Sequence, residues 1–426
     1  MTVITAATIE EAESVLVIAK GDVVTPLARD MANERGIRIE IGNPSARNGR
    51  PAAAGSVPPA GTDVNRLAVS LDPSTRAAPT QLGAVSGALY RRGAPVPAHM
   101  APFPISASGS VRTANRADPR PKAAVIGAGH VGATTALRLV ETSLFSRTTM
   151  VDIVPGLAEG LALDMWHSAG LRGFTTRVEG SDSLDALEGA DYIVMTAGRP
   201  RKPGMTRTDL TGVNSEIIAT VAAKIRTVAP NAVVVVVTNP LEEMTELMAR
   251  HTGFPDKRVI GMAGVLDTAR FCSLVALTGI ADPGNVEALA LGSHGPEMVI
   301  PLSLATANGQ PLEGQLPAPE LDAIVERARD SGAEVVSLLK TGSAYFSPAE
   351  SAAAMVRSMV SGEDRVIAAC VKSGGAYGTA NTRLGLPIRL GRDGVREIVH
   401  LPLRDEENRA LVKSADSIAK RIAELD

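Results

Sequence analysis

Apolar and polar positions change their period several times along this chain, and each change marks an element. Val15-Leu16-Val17-Ile18 is a short apolar run that predicts a strand. Thr25-Pro26 then opens a helix with Leu27, Ala28 and Met31 on one face, Gly36 ends it, and Ile37-Arg38-Ile39-Glu40-Ile41 alternates as a second strand. A longer series begins at Pro121. Ala123-Ala124-Val125-Ile126 reads as a buried strand, a helical stretch runs through Ala136, Leu137 and Val140, and Met150-Val151-Asp152 closes the next strand. The runs Asp191 to Thr196 and Ala232 to Val237 have the length and flanks of strands covered on both faces of a parallel sheet, with helix-like segments between them. Val286 to Leu291 and Met298 to Leu302 predict two more strands around the tight turn Gly292-Ser293-His294-Gly295-Pro296. Strand and helix alternating in this way predict an α/β fold: a Rossmann-type doubly wound parallel sheet, followed by an α+β catalytic domain.

Composition divides the chain. More than half of the residues from Asn43 to Arg120 are Ala, Pro, Gly or Ser, and the stretch holds no Lys or Glu. Such a segment buries too little apolar surface to offset chain entropy, so a mostly disordered, weakly basic linker is expected. Leu82, Val85, Leu89 and Tyr90 would make at most a short amphipathic helix within it. The expected organisation is a small αβ module at 1–42, the linker at 43–120, a nucleotide-binding domain at 121–264 and a catalytic domain at 265–426. A module of that size is marginal alone and calls for a docking partner, whether its own catalytic body, a copy of itself or another protein. A formal charge of −3 argues against a general nucleic-acid binder, and no apolar run reaches membrane-spanning length. Two cysteines, Cys272 and Cys370, make no disulfide framework and no metal-ligand spacing, which points to a reducing compartment. Glu10, Glu11 and Glu13 stand where a secretory signal would be basic.

The candidate chemistry follows the strands. Gly127-Ala128-Gly129-His130-Val131-Gly132 is Gly-x-Gly-x-x-Gly between a strand and a helix. Gly127 permits the tight turn, Gly129 lets the backbone approach a pyrophosphate, and Gly132 packs helix on strand. Asp152, at the end of the next strand, is placed to accept hydrogen bonds from ribose hydroxyls and to repel a 2′-phosphate, which favours NAD over NADP. Arg201-Lys202-Pro203-Gly204-Met205-Thr206-Arg207 sets two guanidinium groups on a Gly/Pro-punctuated loop, an arrangement suited to an anion with several acceptors, although such a sequence also occurs on ordinary surfaces. Asn239 is either a ligand-binding amide or a helix cap before Pro240. Asp267 and Arg270, three apart, share a helical face, as structural ion pairs commonly do. His294 is the histidine in a tight turn between apolar strands, and with an aspartate to fix its tautomer it is a credible acid/base group.

Gly127-Ala128-Gly129, Thr196-Ala197-Gly198, Arg201 to Arg207, Thr238-Asn239-Pro240, Gly264 to Phe271, and Ser293-His294-Gly295 before Met298-Val299-Ile300-Pro301 together resemble the lactate/malate dehydrogenase family from about Pro121 to the C-terminus. The resemblance implies an NAD-binding half and a catalytic half, and His294 paired with Asp267 as the proton relay. It further implies that Arg270 grips the carboxylate common to 2-hydroxy acids, Arg207 polarises the C2 oxygen, Asn239 binds substrate and cofactor, and Asn214 also serves the cofactor. Arg201 would meet a second carboxylate, and since lactate-specific members usually carry Gln there, the resemblance points to the malate side, to the tricarboxylic acid cycle and to a cytoplasmic homodimer or homotetramer. The chain departs from the family at Pro296-Glu297, where an Asp commonly follows the His-Gly pair, at Ser293, where Gly is frequent, and in residues 1 to 120. Thr25 to Ile41 looks similar to short modules on proteins of bacterial microcompartments, which would make 1–42 an interaction or targeting module.

Overall fold

The computed structural model describes residues 3–4, 14–18, 23–24, 32, 35–41, 118–199, 207–340 and 342–425. The chain forms two compact units, residues 1–84 and 85–426. In the first, Val15–Ile18 runs parallel to Arg38–Ile41, and Val3–Ile4 parallel to Val23–Val24. Ile18, Ala32 and Ile37 are buried there, and Gly36 turns the chain at a φ of 68°. The helix expected from Thr25-Pro26 lies outside the described residues apart from Ala32, as does the linker apart from its last three residues.

The second unit is built on one continuous sheet. Its parallel half comprises β1 (Lys122–Ile126), β2 (Arg147–Val151), β3 (Arg177–Ser181), β4 (Tyr192–Met195), β5 (Val233–Val236) and β6 (Val259–Gly261), in the order β3-β2-β1-β4-β5-β6. The order reverses beside β1, so the loops after β1 and β4 diverge to opposite faces and leave a crevice at the carboxyl edge of the strands. β4 and β5 are buried at every position, as apolar runs covered on both faces should be. Antiparallel strands extend the sheet beyond β6: β9 (Val366–Lys372) pairs with β6, then β10 (Arg383–Gly391), then β7 (Leu291–Gly292) and β8 (Met298–Val299), while β11 (Gly394–Ile398) adds to β10.

The helices that matter for the site are α1 (His130–Glu141), α2 (Leu157–His167), α3 (Arg207–Val228), α4 (Leu241–Thr252), α5 (Gly264–Ala276), α6 (Ala318–Leu339), α7 (Phe346–Ser361) and α8 (Asp405–Ala423). None of the helices among the described residues is long and apolar enough to cross a membrane. One sequence expectation needs correction. The apolar run Val286 to Leu291 is not one strand: Val286–Glu287 pairs with Thr306–Ala307 in a separate ribbon, and Leu291–Gly292 joins the main sheet. Val286 and Leu291 are both buried and only the exposed Glu287 interrupts the apolar residues between them, while the chain passes from one sheet to the other at Ala290, whose N–H donates to Thr268 Oγ1. The run Met298 to Leu302 likewise stops early, at Val299, and Leu302–Leu304 forms a short 3-10 turn after Pro301.

Helix α4 is buried on nearly every side although it carries three carboxylates, Glu242, Glu243 and Glu246. Its first-turn acids suit the positive end of the helix dipole, and Gly253, at a φ of 67°, ends it. Glu246 is matched by Arg383 of β10, which is 1% exposed and donates to Glu246 Oε2 at 2.9 Å and to the Val259 carbonyl at 3.1 Å while also pairing with Asp256. Burial alone would raise the Glu246 carboxyl pKa, but the Arg250 hydrogen bond and the charges of Arg383 and Lys372 hold it below its ordinary value. Its stabilising contribution is therefore present above the ordinary carboxyl range and is lost as pH falls through the depressed value. Arg383→Met leaves Glu246 without its buried partner and is expected to cost about 3–5 kcal/mol, read as a lower urea midpoint by fluorescence of the single tryptophan, Trp166.

Candidate active site

The glycine turn joins β1 to α1 as the fingerprint requires. Gly127 has a φ of 94°, and a Cβ there would stand 2.8 Å from the Ala197 nitrogen. A Cβ at Gly132 would lie 1.8 Å from the Gly127 carbonyl oxygen, so only glycine lets helix and turn approach this closely. At Gly129 nothing lies within 4 Å of a Cβ position, and no side chain caps the first turn of α1. Open space over uncapped helix N–H groups is what a pyrophosphate needs, and the residues present fit NAD. Asp152 follows β2 directly, and its carboxylate is fixed in place: Oδ2 accepts the Ala128 N–H at 2.7 Å and Oδ1 the Val154 N–H at 3.0 Å. Each oxygen keeps acceptor capacity for a ribose hydroxyl beside the turn.

Two strands contribute the next wall. Thr196 Oγ1 donates to the carbonyls of Ile126 and Gly127, tying the end of β4 to the glycine turn. Asn239, after β5, has an exposed side chain and does not cap α4, whose N-cap is Pro240 without any side-chain hydrogen bond; this removes the capping alternative. Asn214 takes a different place from the cofactor contact expected of it. It is 1% exposed, its Oδ1 accepts the Arg199 N–H at 2.8 Å, and its Nδ2 donates to the carbonyls of Asn239 at 2.7 Å and Arg199 at 3.3 Å. An amide spent on three backbone groups pins the loops after β4 and β5 to each other and has no donor left for a ligand. Arg201 lies outside the described residues; Arg207 begins α3, and of it the backbone alone is described.

The catalytic half meets this crevice at α5 and at the β7–β8 turn. Asp267 is 2% exposed and divides its carboxylate between two partners: Oδ2 lies 2.7 Å from His294 Nδ1, and Oδ1 lies 3.3 Å from Arg270 Nη1. An ionised carboxylate can only accept, so Nδ1 carries the hydrogen and Nε2 of a neutral His294 keeps its lone pair. Burial on its own would lower the His294 pKa, yet the charge and hydrogen bond of Asp267, joined by Glu242 and opposed by Arg270, make the net direction upward. Asp267 and Arg270 thus meet as their spacing suggested, and His294 stands against the same carboxylate as the family resemblance implied, so the Asp267–Arg270 ion pair is structural and also belongs to the candidate site.

The chain's departures at the turn are accommodated by distant residues. Ser293 is buried and donates its N–H to Ser414 Oγ at 2.9 Å, and Glu297 Oε1 accepts from Ser417 Oγ at 2.8 Å. The His294 N–H itself donates to Glu242 Oε1 at 2.6 Å. Sequence reasoning missed Glu242 and the α8 residues, since an acid in the first turn of a helix ordinarily reads as solvated. No local signal marked them: Leu241, Met244, Leu247 and Met248 gather on one side of α4 and Glu242, Glu243, Glu246 and Arg250 on the other, which is the pattern of an ordinary amphipathic helix.

Residues 121–261 match the model of the lactate/malate dehydrogenase NAD-binding domain, and residues 264–425 that of the lactate/malate dehydrogenase alpha/beta C-terminal domain. The chain belongs to the lactate/malate dehydrogenase family. Among family members, the malate dehydrogenase of Chloroherpeton thalassium is 43% identical over 297 residues, covering 70% of this chain and 96% of that one. That of Thermomicrobium roseum is 44% identical over 303 residues, covering 71% and 97%. Among solved family structures, Cryptosporidium parvum malate dehydrogenase superposes with a TM-score of 0.69 at 36% identity, covering 72% of this chain and 99% of that one. Lactate dehydrogenase from the same organism, complexed with lactic acid and nicotinamide adenine dinucleotide, gives 0.70 at 32% identity, covering 73% and 99%. Both branches of the family therefore fit the backbone equally well, and substrate choice has to be read from side chains.

Proposed function

We propose that this chain is an NAD-dependent malate dehydrogenase that interconverts (S)-malate and oxaloacetate. The observation that carries the reading is the Asp267 carboxylate holding both His294 and Arg270 on a scaffold of this family. When bound, NAD supplies the hydride acceptor. In the oxidation direction His294 Nε2 takes the hydroxyl proton, and Asp267 stabilises the imidazolium that results. Arg270 binds the carboxylate next to the reacting carbon, Arg207 polarises the C2 oxygen, and Asn239 binds substrate and the cofactor's ribose side. Gly127, Gly129 and Gly132 seat the pyrophosphate, Asp152 the adenosine ribose, and Asn214 acts by pinning the two loops that flank them. Arg201 receives the far carboxylate of the dicarboxylate, which separates this reading from a lactate dehydrogenase or another 2-hydroxy acid dehydrogenase.

The proposal extends to a cytoplasmic homodimer or homotetramer in which residues 1–42 form a protein-interaction module, one version of which is cargo targeting to a bacterial microcompartment. NADH oxidation followed in parallel on oxaloacetate and pyruvate tests the catalytic part. A kcat/KM about a thousandfold or more in favour of oxaloacetate is expected, because pyruvate leaves a charged site residue unpaired. The same ratio is expected from a chain lacking residues 1–115, with any change confined to partner retention or location. A preference for pyruvate, or no turnover of either, overturns the reading.

A further inference from the structure

The turn bearing His294 is gripped from two helices by groups that the proposed reaction does not use. From α4, Glu242 Oε1 accepts the His294 N–H at 2.6 Å. From α8, Ser414, Ser417 and Arg421 share one face at spacings of three and four, and all reach the same turn. Ser414 Oγ takes the Ser293 N–H, and Ser417 Oγ donates to Glu297. Arg421 stands among the acids: Nε donates to Glu243 Oε1 at 3.0 Å, while Nη1 lies 3.7 Å from Glu297 Oε2 and Nη2 3.8 Å from Glu242 Oε2. Pro296 follows Gly295 and supplies neither an N–H nor a carboxylate, and the acid that accepts the His294 N–H lies 52 residues away in sequence.

We propose that Glu242 is a positioning residue for His294: it fixes the backbone that carries the imidazole and sets a second buried negative charge beside the ring. The inference rests on the proposed role of His294 as the proton carrier. Glu242 is 1% exposed, and a buried carboxylate needs an opposite charge; Arg421, close to the end of the last helix, supplies it. The charged groups that act on His294 among the described residues are Asp267 and Arg270 from α5 and Glu242 from α4; Glu243 and Glu297 of the adjoining α4 and turn are paired instead with Arg421 of α8. Glu242 favours the protonated ring, as Asp267 does more strongly.

Two substitutions separate the two parts of this role. Glu242→Gln keeps an oxygen for the His294 N–H but removes the charge. It is expected to hold kcat within about threefold on the pH plateau and to move the acid limb of malate oxidation to lower pH, because a neutral His294 then persists further into acid. Glu242→Leu removes charge and acceptor together and is expected to lower kcat by about 10–100-fold through misplacement of the ring. The full chain labelled with 13C-histidine gives a readout that needs no substrate: the His294 signal, assigned by its loss in His294→Asn, should titrate at lower pH in Glu242→Gln. If the parent enzyme turns over but Glu242→Gln moves neither the acid limb nor the His294 titration, the inference is overturned. So it is if both variants lose stability with kinetics intact. A parent without turnover would instead defeat the proposed function, and the NMR titration would still decide whether Glu242 acts on the ring.

Discussion

His294→Asn is expected to lower malate oxidation and oxaloacetate reduction by about three orders of magnitude, the upper part of the range for losing a positioned acid/base group. Asparagine preserves much of the side-chain size and can still donate to Asp267, so the loss isolates the proton carrier from the packing around it. NADH affinity should stay near that of the parent, since the glycine turn and Asp152 lie on the other half of the unit. The pH dependence has a definite sign in each direction. Oxidation needs neutral His294, so its rate rises as pH passes upward through the His294 pKa; reduction needs the protonated ring and falls through the same value. That value lies above the ordinary one for histidine, because Asp267 and Glu242 more than offset burial. Rate profiles in both directions check this, and a His294→Asn variant that retains more than about a tenth of parental turnover would remove His294 from its role.

Arg201→Gln is the second large effect, and it concerns choice of substrate more than chemistry. Glutamine retains hydrogen-bonding capacity but not the fixed charge or the two-pronged donor geometry that fits a carboxylate. Each charge-assisted hydrogen bond contributes roughly 1.5–3 kcal/mol, so losing a bidentate pair should cut kcat/KM for oxaloacetate by about 10²–10⁴. Pyruvate has no far carboxylate, so on the proposed role of Arg201 it would leave that charge without a partner in the parent; the substitution would remove that penalty. The oxaloacetate-to-pyruvate ratio should therefore collapse from both sides. The same parallel NADH assay reads it, and equal rates on oxaloacetate in variant and parent would sink the assignment of Arg201. Its place in sequence between Gly198, just after β4, and the start of α3 puts Arg201 on the connection that leaves the carboxyl edge of the sheet.

The parts of the site that could be read directly are those written in short spans. Gly127, Gly129 and Gly132 reveal themselves because strand, tight turn and helix start are encoded within a dozen residues, and the structure confirms the crowding that excludes a Cβ at Gly127 and Gly132. Asp267 and Arg270 are legible because a helix brings residues three apart together. Asn214 was expected at the cofactor and is found holding two loops, because a buried amide is satisfied by whichever backbone groups surround it and its own sequence neighbours do not say which those are. The run from Val286 to Leu291 misled for a related reason: burial makes a pattern apolar without saying which sheet does the burying.

By itself the sequence determined the strand-helix alternation, the glycine turn with Asp152, the Asp267/Arg270 face, the histidine turn and the family, all carried by local periodicity and by residue types whose chemistry admits few substitutes. The tertiary structure supplied the geometry by which one carboxylate serves both His294 and Arg270, and it alone decided that Arg383 offsets Glu246 and that Glu242 and Arg421 stand beneath the turn. Apart from Asp267 with Arg270, which are three apart, those pairs join residues 27 to 179 positions apart. No local pattern records such partners, because a buried charge signals only that it must be matched, and the packing of the helices on the sheet determines by what.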